Sequence, residues 1–346
     1  MHKLRVGVLR GGTSPEYDVS LKTGQAVLAN LPEEKYIPVD MLVTKNGEWH
    51  ANGRPVTLAE TARKVDIVWN ALHGEYGEDG KVQQELDSFK IPYTGSGALA
   101  SAVGMHKHFA GERFRNAGLR IPRGRLLSGK MLALGEYGTA SAVSFQIFRE
   151  IHPPWIVKPV RGGSSVGIII ARSFPELEEA ITAASHTVQD ILVEEFIRGK
   201  EATCGVVDDF RGEELYATLP TEIILPEGSN FFDYSAKYSG ESQEICPGRF
   251  SREESAMLQH MARIAHKAVG VRHYSRSDFL VTARGIYILE INTLPGLAEQ
   301  TLLPQSLAAA GAPLSEFLDH ILTLAASPSF SPRLREGRGF SPGGFR

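Results

Sequence analysis

The sequence predicts an α/β unit built on a parallel sheet, followed by two α+β units. Three observations carry that expectation. Over the first hundred residues, short apolar runs alternate with helix-patterned stretches, as in a parallel sheet covered on both faces. The apolar run 155–157 then leads into a glycine-rich turn and a second apolar run. Finally, two apolar runs near residues 278–291 flank a tight turn and read as an antiparallel pair.

Residues 4–9 form the first strand candidate, Gly11 and Gly12 turn the chain, and Asp18 or Ser20 can cap a helix reaching about Asn30. Strands are expected at 39–43 and 65–72, and a helix at 80–89. Ligands of such sheets sit beyond the carboxyl ends of the strands, which is where residues 11–16 and 73–79 fall. A helix over 105–117, stopped by Gly118 and Pro122, opens the second unit. A hairpin of 155–159 and 166–171, a helix near 175–184 and a strand at 191–195 follow. The third unit has strands at 202–207, 214–224, 278–281 and 286–291 and one long helix over 253–269. The expected division is 1–103, 104–197 and 198–326. The Pro-, Gly- and Arg-rich end, 327–346, reads as a disordered tail.

Composition narrows the partners. A chain of 346 residues with 42% hydrophobic content can bury several cores, and a formal net charge of -3 provides no global basic field for nucleic acid or anionic lipid. A small-molecule partner is favoured. The two cysteines, Cys204 and Cys246, lie far apart without histidines at zinc spacing, so neither a disulfide framework nor a structural zinc is expected. The apolar run 4–9 is too short for a signal segment, and no stretch reaches the length of a membrane span. A cytoplasmic location is therefore expected.

Three constellations carry chemistry. On the run 286–292, Glu290 and Asn292 share one face because strand side chains alternate, and a hairpin partner can set Asp278 beside them. Two carboxylates and an amide suit magnesium, which takes a few protein oxygens and completes its shell with water and phosphate. The bland alternative is a solvated sheet edge, but carboxylates placed among Ile288, Leu289 and Ile291 favour the metal. Lys158 stands before the run from Gly162 to Gly167, where backbone N–H groups and the hydroxyls of Ser164 and Ser165 can wrap phosphate. The order Gly-Lys-Ser is missing and a hairpin follows, so this is not a P-loop. Glu194 and Glu195 end a buried strand before Phe196 and Ile197; such an end can bond an adenine amino group and a ribose. Taken alone, it would read as exposed edge charge.

In this order, the three pieces resemble the ATP-grasp superfamily, and further motifs resemble its D-alanine:D-alanine ligase family. These are Gly11-Gly12-Thr13-Ser14-Pro15-Glu16 with Val19-Ser20, and Ala71-Leu72-His73-Gly74 with Gly77-Glu78-Asp79-Gly80. Pro92-Tyr93-Thr94-Gly95-Ser96-Gly97, Met105 with Lys107, and Lys158-Pro159 come next. Gly163-Ser164-Ser165-Val166-Gly167, Asp233-Tyr234, Ala236-Lys237-Tyr238, and Glu290 with Asn292-Thr293 and Pro295-Gly296 complete the set. The resemblance runs from Val6 to about Leu324. It implies that Lys107 and Lys158 contact ATP phosphates with Ser165, that Glu194, Glu195, Phe196 and Ile197 form the adenine pocket, and that Glu201 meets the ribose. It implies two Mg2+ ions on Asp278, Glu290 and Asn292, with Mn2+ able to substitute. Glu16 orients the first D-alanine ammonium, Ser164 and Tyr238 link over the site, Lys237 covers the transferring phosphate, and Arg276 with the Gly296 amide steadies an oxyanion. Ser20 and His73 line the first amino-acid site, and Thr301 with Leu302 the second. A homodimer is also implied.

The sequence departs from the family pattern at His106, between Met105 and Lys107, and at Thr301, where many relatives carry serine. Alternatives in the same class join D-alanine to D-serine or D-lactate; Tyr238 speaks against the ester. An alternative of another class is a non-catalytic nucleotide-binding regulatory module, against which the intact metal-ligand candidates argue.

Overall fold

The computed structural model describes residues 3–162, 167–187, 189–224 and 243–327. The first part runs β1 (Leu4–Gly11), α1 (Tyr17–Asn30), β2 (Tyr36–Val43), β3 (Trp49–Ala51), β4 (Arg54–Pro55), α2 (Leu58–Lys64), β5 (Ile67–Asn70) and α3 (Lys81–Ser88). Its sheet has the order β4-β3-β2-β1-β5, with β1 parallel to β2 and β5. The parallel sheet expected from the sequence is present, but β3 and β4 add an antiparallel edge. The strand expected over 65–72 is shorter. Asn70 ends it, because its side-chain oxygen accepts the Leu72 N–H and turns the chain out of the sheet.

The second part comprises α4 (Ala98–Met105), α5 (Lys107–Asn116), β6 (Gly124–Leu127), α6 (Gly129–Ala133), α7 (Ala140–Glu150), β7 (Trp155–Pro159), β8 (Ile169–Ala171), α8 (Phe174–Thr187) and β9 (Ile191–Glu195). The strands form an antiparallel sheet ordered β6-β9-β7-β8. Val143 and Ile147 of α7, with Leu177 and Ile181 of α8, cover it over Trp155, Val157 and Val193. The helix expected over 105–117 is α5, and His106 separates it from α4 before it. That residue has an extended backbone and its ring nitrogen accepts the Phe109 N–H, so it serves as the N-cap of α5.

The third part holds β10 (Lys200–Phe210), β11 (Glu213–Ala217), β12 (Thr221–Ile224), β13 (Gln243–Ile245), α9 (Arg252–Val269), β14 (Tyr274–Thr282), β15 (Gly285–Asn292), α10 (Leu302–Ala309) and α11 (Leu314–Ala326). Its sheet has the order β13-β12-β10-β14-β15, with β11 also on β10. The strand expected over 214–224 is two strands, because Thr218 leaves the ladder to accept the Gly205 N–H through its hydroxyl and Pro220 has no N–H to offer. The long helix α9 matches its sequence signals. A capping box of Ser251 and Glu254 starts it and left-handed Gly270 stops it.

The last helix ties the ends of the chain together. Phe317, Leu318 and Ile321 of α11 pack in one core with Val6 and Val8 of β1 and Trp69 of β5. Trp69 stacks on Tyr274 at 6.2 Å between centroids, and Phe317 meets Tyr274 edge-on at 5.3 Å. The first and third parts therefore share a hydrophobic core, which fixes the loops after β1 and β5 against β14. Phe317→Ala should destabilise the chain by about 3–5 kcal/mol, read as a lowered thermal midpoint; an unchanged midpoint would contradict this shared core.

Candidate active site

The alternation of apolar and polar residues along β14 places Ser275, Ser277, Phe279 and Val281 in the core and leaves Arg276 and Asp278 on the other, partly open face. β15 pairs antiparallel, with Arg276 opposite Asn292 and Asp278 opposite Glu290. The expected meeting of Asp278, Glu290 and Asn292 thus follows from the register. The pairing slips between Asp278 and Phe279, so Leu289 is an extra residue on β15. This bulge shifts the phase of the strand, leaving both Leu289 and Glu290 outside the core while Ile288 and Ile291 stay in it.

Asp278 is held in place by three donations: Arg276 gives Nε and an Nη at 2.9 and 3.0 Å, and the Thr203 hydroxyl gives a third at 2.7 Å. Burial opposes the charge of Arg276, but Asp278, Glu290 and Glu244 outweigh it and raise its pKa above the ordinary guanidinium value. Asn292 accepts the Leu294 N–H through its side-chain oxygen, which starts the turn toward Gly296. Among the described residues, no three His, Cys, Asp or Glu side chains cluster as a metal cage. Two carboxylates and an amide form an incomplete shell, which fits a magnesium ion that finishes its coordination on water and phosphate.

The cations expected to meet phosphate are paired with carboxylates. Lys107 Nζ lies 3.6 Å from Glu290 Oε2 and donates to the Gly162 carbonyl at 2.6 Å. Lys158 and Glu194 form a buried ion pair at 2.6 Å. Lys107, Gly124, Leu192, Glu194 and Leu289 line a cleft of about 80 Å3 between the sheets of β9 and β15. That is well below the roughly 300 Å3 of a typical small-molecule site. Glu195 accepts the Arg123 N–H, the Phe196 N–H donates to Pro154, Ile197 is buried, and Glu201 stands on β10 opposite Leu280. A larger cavity of about 420 Å3, lined by Thr13, Trp49, Tyr76 and Glu85, contains none of these cations or metal-ligand candidates.

The loops after β1 and β5 meet at a second cluster. Gly74 has φ +71°, and a Cβ there would stand 2.8 Å from Glu16 Oε2 and 2.9 Å from Ser14 Oγ. Ser14 donates to the His73 carbonyl, which joins the two loops. His73 is buried between the Thr23 hydroxyl, 2.8 Å from Nε2, and Glu78, 3.5 Å from Nδ1. Burial raises the Glu78 pKa, and nearby Glu16 adds to the rise, while His73 and the Gly74 N–H work against it. Ser20, expected to line the first amino-acid site, is fully buried; its hydroxyl accepts the Gly11 N–H and donates to the Ala71 carbonyl, tying β1 to the end of β5. The Thr301 hydroxyl lies 2.7 Å from both the Gly296 and Ala298 carbonyls, and Leu302 opens α10. Ser164, Ser165, Lys237, Tyr238 and the tail 328–346 lie outside the described residues.

Sequence reasoning missed Thr203, Leu289 and Thr23. Thr203 and Thr23 are buried hydroxyls on elements whose pairing the sequence does not reveal, and Leu289 reaches the cleft only through the bulge.

The family pattern described as D-ala D-ala ligase C-terminus matches residues 130–323, and the D-ala D-ala ligase N-terminus pattern matches 5–60 and 51–96. The chain belongs to the D-alanine–D-alanine ligase family. A D-alanine--D-alanine ligase of Syntrophobacter fumaroxidans is 38% identical over 93% of this chain and 98% of its own. One from Geobacter sulfurreducens is 39% identical over 93% and 94%. Among solved structures, the VanG D-Ala:D-Ser ligase of Enterococcus faecalis superposes with TM-score 0.82 at 30% identity, covering 94% of this chain and 100% of the other. A Bacillus anthracis D-alanine--D-alanine ligase complexed with ATP superposes with TM-score 0.76 at 29% identity, covering 93% and 97%. The three sheets are thus those of an ATP-grasp ligase, an enzyme that uses ATP. No helix of the described residues is long and apolar enough to cross a membrane.

In this ligase the close approach of Gly74 to Glu16 leaves no room for a side chain. Gly74→Ala should lower turnover by roughly 100-fold, as expected for a displaced positioning group, and should also lower the thermal midpoint, because φ +71° strains any added Cβ. Turnover equal to that of the parent chain would show that the contact is unimportant.

Proposed function

We propose that this ligase joins two D-alanines to D-alanyl-D-alanine at the expense of ATP, through a D-alanyl phosphate, for peptidoglycan precursors. The observation that carries the reading is the set Arg276, Asp278, Glu290 and Asn292 brought together by the register of β14 and β15, with Lys107 beside Glu290 and the Lys158–Glu194 pair on the facing sheet. The roles fall on three proposed units, 1–103, 104–197 and 198–326. Lys107 and Lys158, freed from their carboxylates, neutralise the triphosphate, with Ser165 adding a donor. Glu194, Glu195, Phe196 and Ile197 receive adenine, Leu289 packs against it, and Glu201 takes the ribose. Asp278, Glu290 and Asn292 would hold two Mg2+ ions, or Mn2+ in their place. When bound, the metal screens the phosphate charge during transfer.

Glu16 accepts the ammonium of the first D-alanine, with His73 beside it. The carboxylate of that D-alanine attacks the γ-phosphorus and ADP leaves. Ser164, Tyr238 and Lys237 are assigned to covering the acyl phosphate against water. The amine of the second D-alanine, deprotonated, attacks the acyl carbon. Arg276 and the Gly296 N–H receive the developing oxyanion, and phosphate departs. The Thr301 hydroxyl and the N–H groups that open α10 are suited to the second carboxylate. Family resemblance supports a homodimer and a cytoplasmic location.

The test is a product assay. Purified protein is incubated with ATP, Mg2+ and a panel of D-alanine, D-serine and D-lactate, and products are identified by mass. D-alanyl-D-alanine is expected as the main product, with phosphate release abolished by chelation of the divalent ion. No product from any D-amino acid would sink the reading, and a mixed D-alanyl-D-serine product in preference would move the second site to D-serine. Glu290→Ala should cut turnover by at least about 100-fold without unfolding the chain; retained activity would refute the metal assignment.

A further inference from the structure

Thr23 lies on α1, one turn after Ser20 and outside the motifs assigned a chemical role, and is 2% exposed. Its hydroxyl touches two parts of the site that belong to different ends of the chain. On one side it meets His73 Nε2 at 2.8 Å, and on the other it accepts the Leu297 N–H at 3.4 Å. Leu297 follows Gly296, and a Cβ built on Gly296 would lie 3.7 Å from the Thr23 oxygen. Leu297 is itself 1% exposed, so water has no easy access as a substitute partner.

The directions of donation follow from the ends of this chain of bonds. A backbone N–H can only donate, so the Leu297 bond occupies a lone pair of the Thr23 oxygen. The Thr23 proton is then available to His73 Nε2. The hydroxyl oxygen keeps a second lone pair, so the other end fixes the direction: an ionised Glu78 only accepts, which puts the imidazole proton on Nδ1 toward Glu78 Oε1 and makes Nε2 the acceptor of the Thr23 proton, while the Gly74 N–H bonds the other Glu78 oxygen at 3.2 Å. The series Leu297 N–H, Thr23, His73, Glu78 runs in one direction and leaves each member a partner. Valine has the shape of threonine but could neither accept from Leu297 nor donate to His73.

We infer that Thr23 is a positioning residue that sets the Gly296–Leu297 turn against the first amino-acid site through His73. This rests on the ligase reading above and deepens it. The Thr23 hydroxyl is the hydrogen-bonded link from His73 in the donor site to the turn that presents the Gly296 N–H to the oxyanion. The second step is therefore the step that needs it. When the turn drifts, the acyl phosphate waits longer for the amine, and water can attack the same carbon to return D-alanine and phosphate. Phosphate release then exceeds dipeptide formation.

Thr23→Val and Thr23→Ser are compared with the parent chain, measuring phosphate and dipeptide separately and KM for ATP. For Thr23→Val the expected result is a fall in kcat of about tenfold, more phosphate than dipeptide, and a KM for ATP within about twofold of the parent value. Thr23→Ser, which keeps the hydroxyl, is expected to restore both the rate and a one-to-one ratio. A Thr23→Val enzyme that stays at one-to-one, or a serine variant as impaired as the valine variant, would overturn the inference. A second readout does not depend on turnover. In the histidine-selective 15N NMR spectrum, His73 should show a protonated Nδ1 and an accepting Nε2 in the parent chain, and the Nε2 signal should shift in Thr23→Val but not in Thr23→Ser. An unshifted Nε2 signal in Thr23→Val would also overturn it. If the parent chain makes no dipeptide, the functional reading fails, and the NMR comparison alone decides whether the relay exists.

Discussion

The pairing of β14 with β15 is the constraint on which the site depends. Because Asp278 faces Glu290 and Arg276 faces Asn292, four polar side chains emerge together from two strands whose other faces are buried. A slip of one residue would turn them into the core and bring Phe279 and Ile288 out. The buried partners of the sheet, Ala202 and Cys204 on β10 and Leu258 and Ala262 on α9, resist that slip. The bulge at Asp278 and Phe279 is the one departure from strict pairing, and it moves Leu289 to the cleft wall without disturbing the carboxylates.

The same hairpin sets the electrostatics. Arg276 is satisfied by Asp278, Lys107 lies near Glu290, and Lys158 is locked to Glu194 on the neighbouring strand of its own sheet. Buried ion pairs contribute little net stability, because desolvation cancels much of their attraction. Their value here is that they keep cations and carboxylates in place until a charged ligand exchanges for one partner or the other. On the proposed roles, a metal ion would compete with Lys107 for Glu290 and a polyphosphate would compete with Glu290 for Lys107, so the two ligands would favour each other's binding.

Much of this was legible in the sequence, and the limits are physical. The hairpin and its oxygen donors could be read because alternation along a strand is local, as are the cap signals of α9. The loops at 11–16 and 73–79 could be placed because strand ends in a parallel sheet all point one way. Features set by contact between distant segments were not legible. The break at His106 depends on a side-chain cap, the division of 214–224 on Thr218 turning to Gly205, and the closure of the first sheet by α11 on a core shared by Val6 and Phe317. Ser20 showed the same limit: its motif marks the right place, but its hydroxyl serves the backbone of Gly11 and Ala71. Thr23 carried no local signal at all, since its partners stand 50 and 274 residues away.

The exchange of charges between protein and ligands is open to calorimetric titration of ATP with and without Mg2+. Mg2+ should tighten ATP binding by at least about tenfold in the parent chain. Glu290→Gln, which removes the negative charge beside Lys107, is also expected to bind metal-free ATP more tightly than the parent while losing most of the gain from Mg2+. Weaker metal-free binding in Glu290→Gln, or an undiminished response to Mg2+, would contradict it.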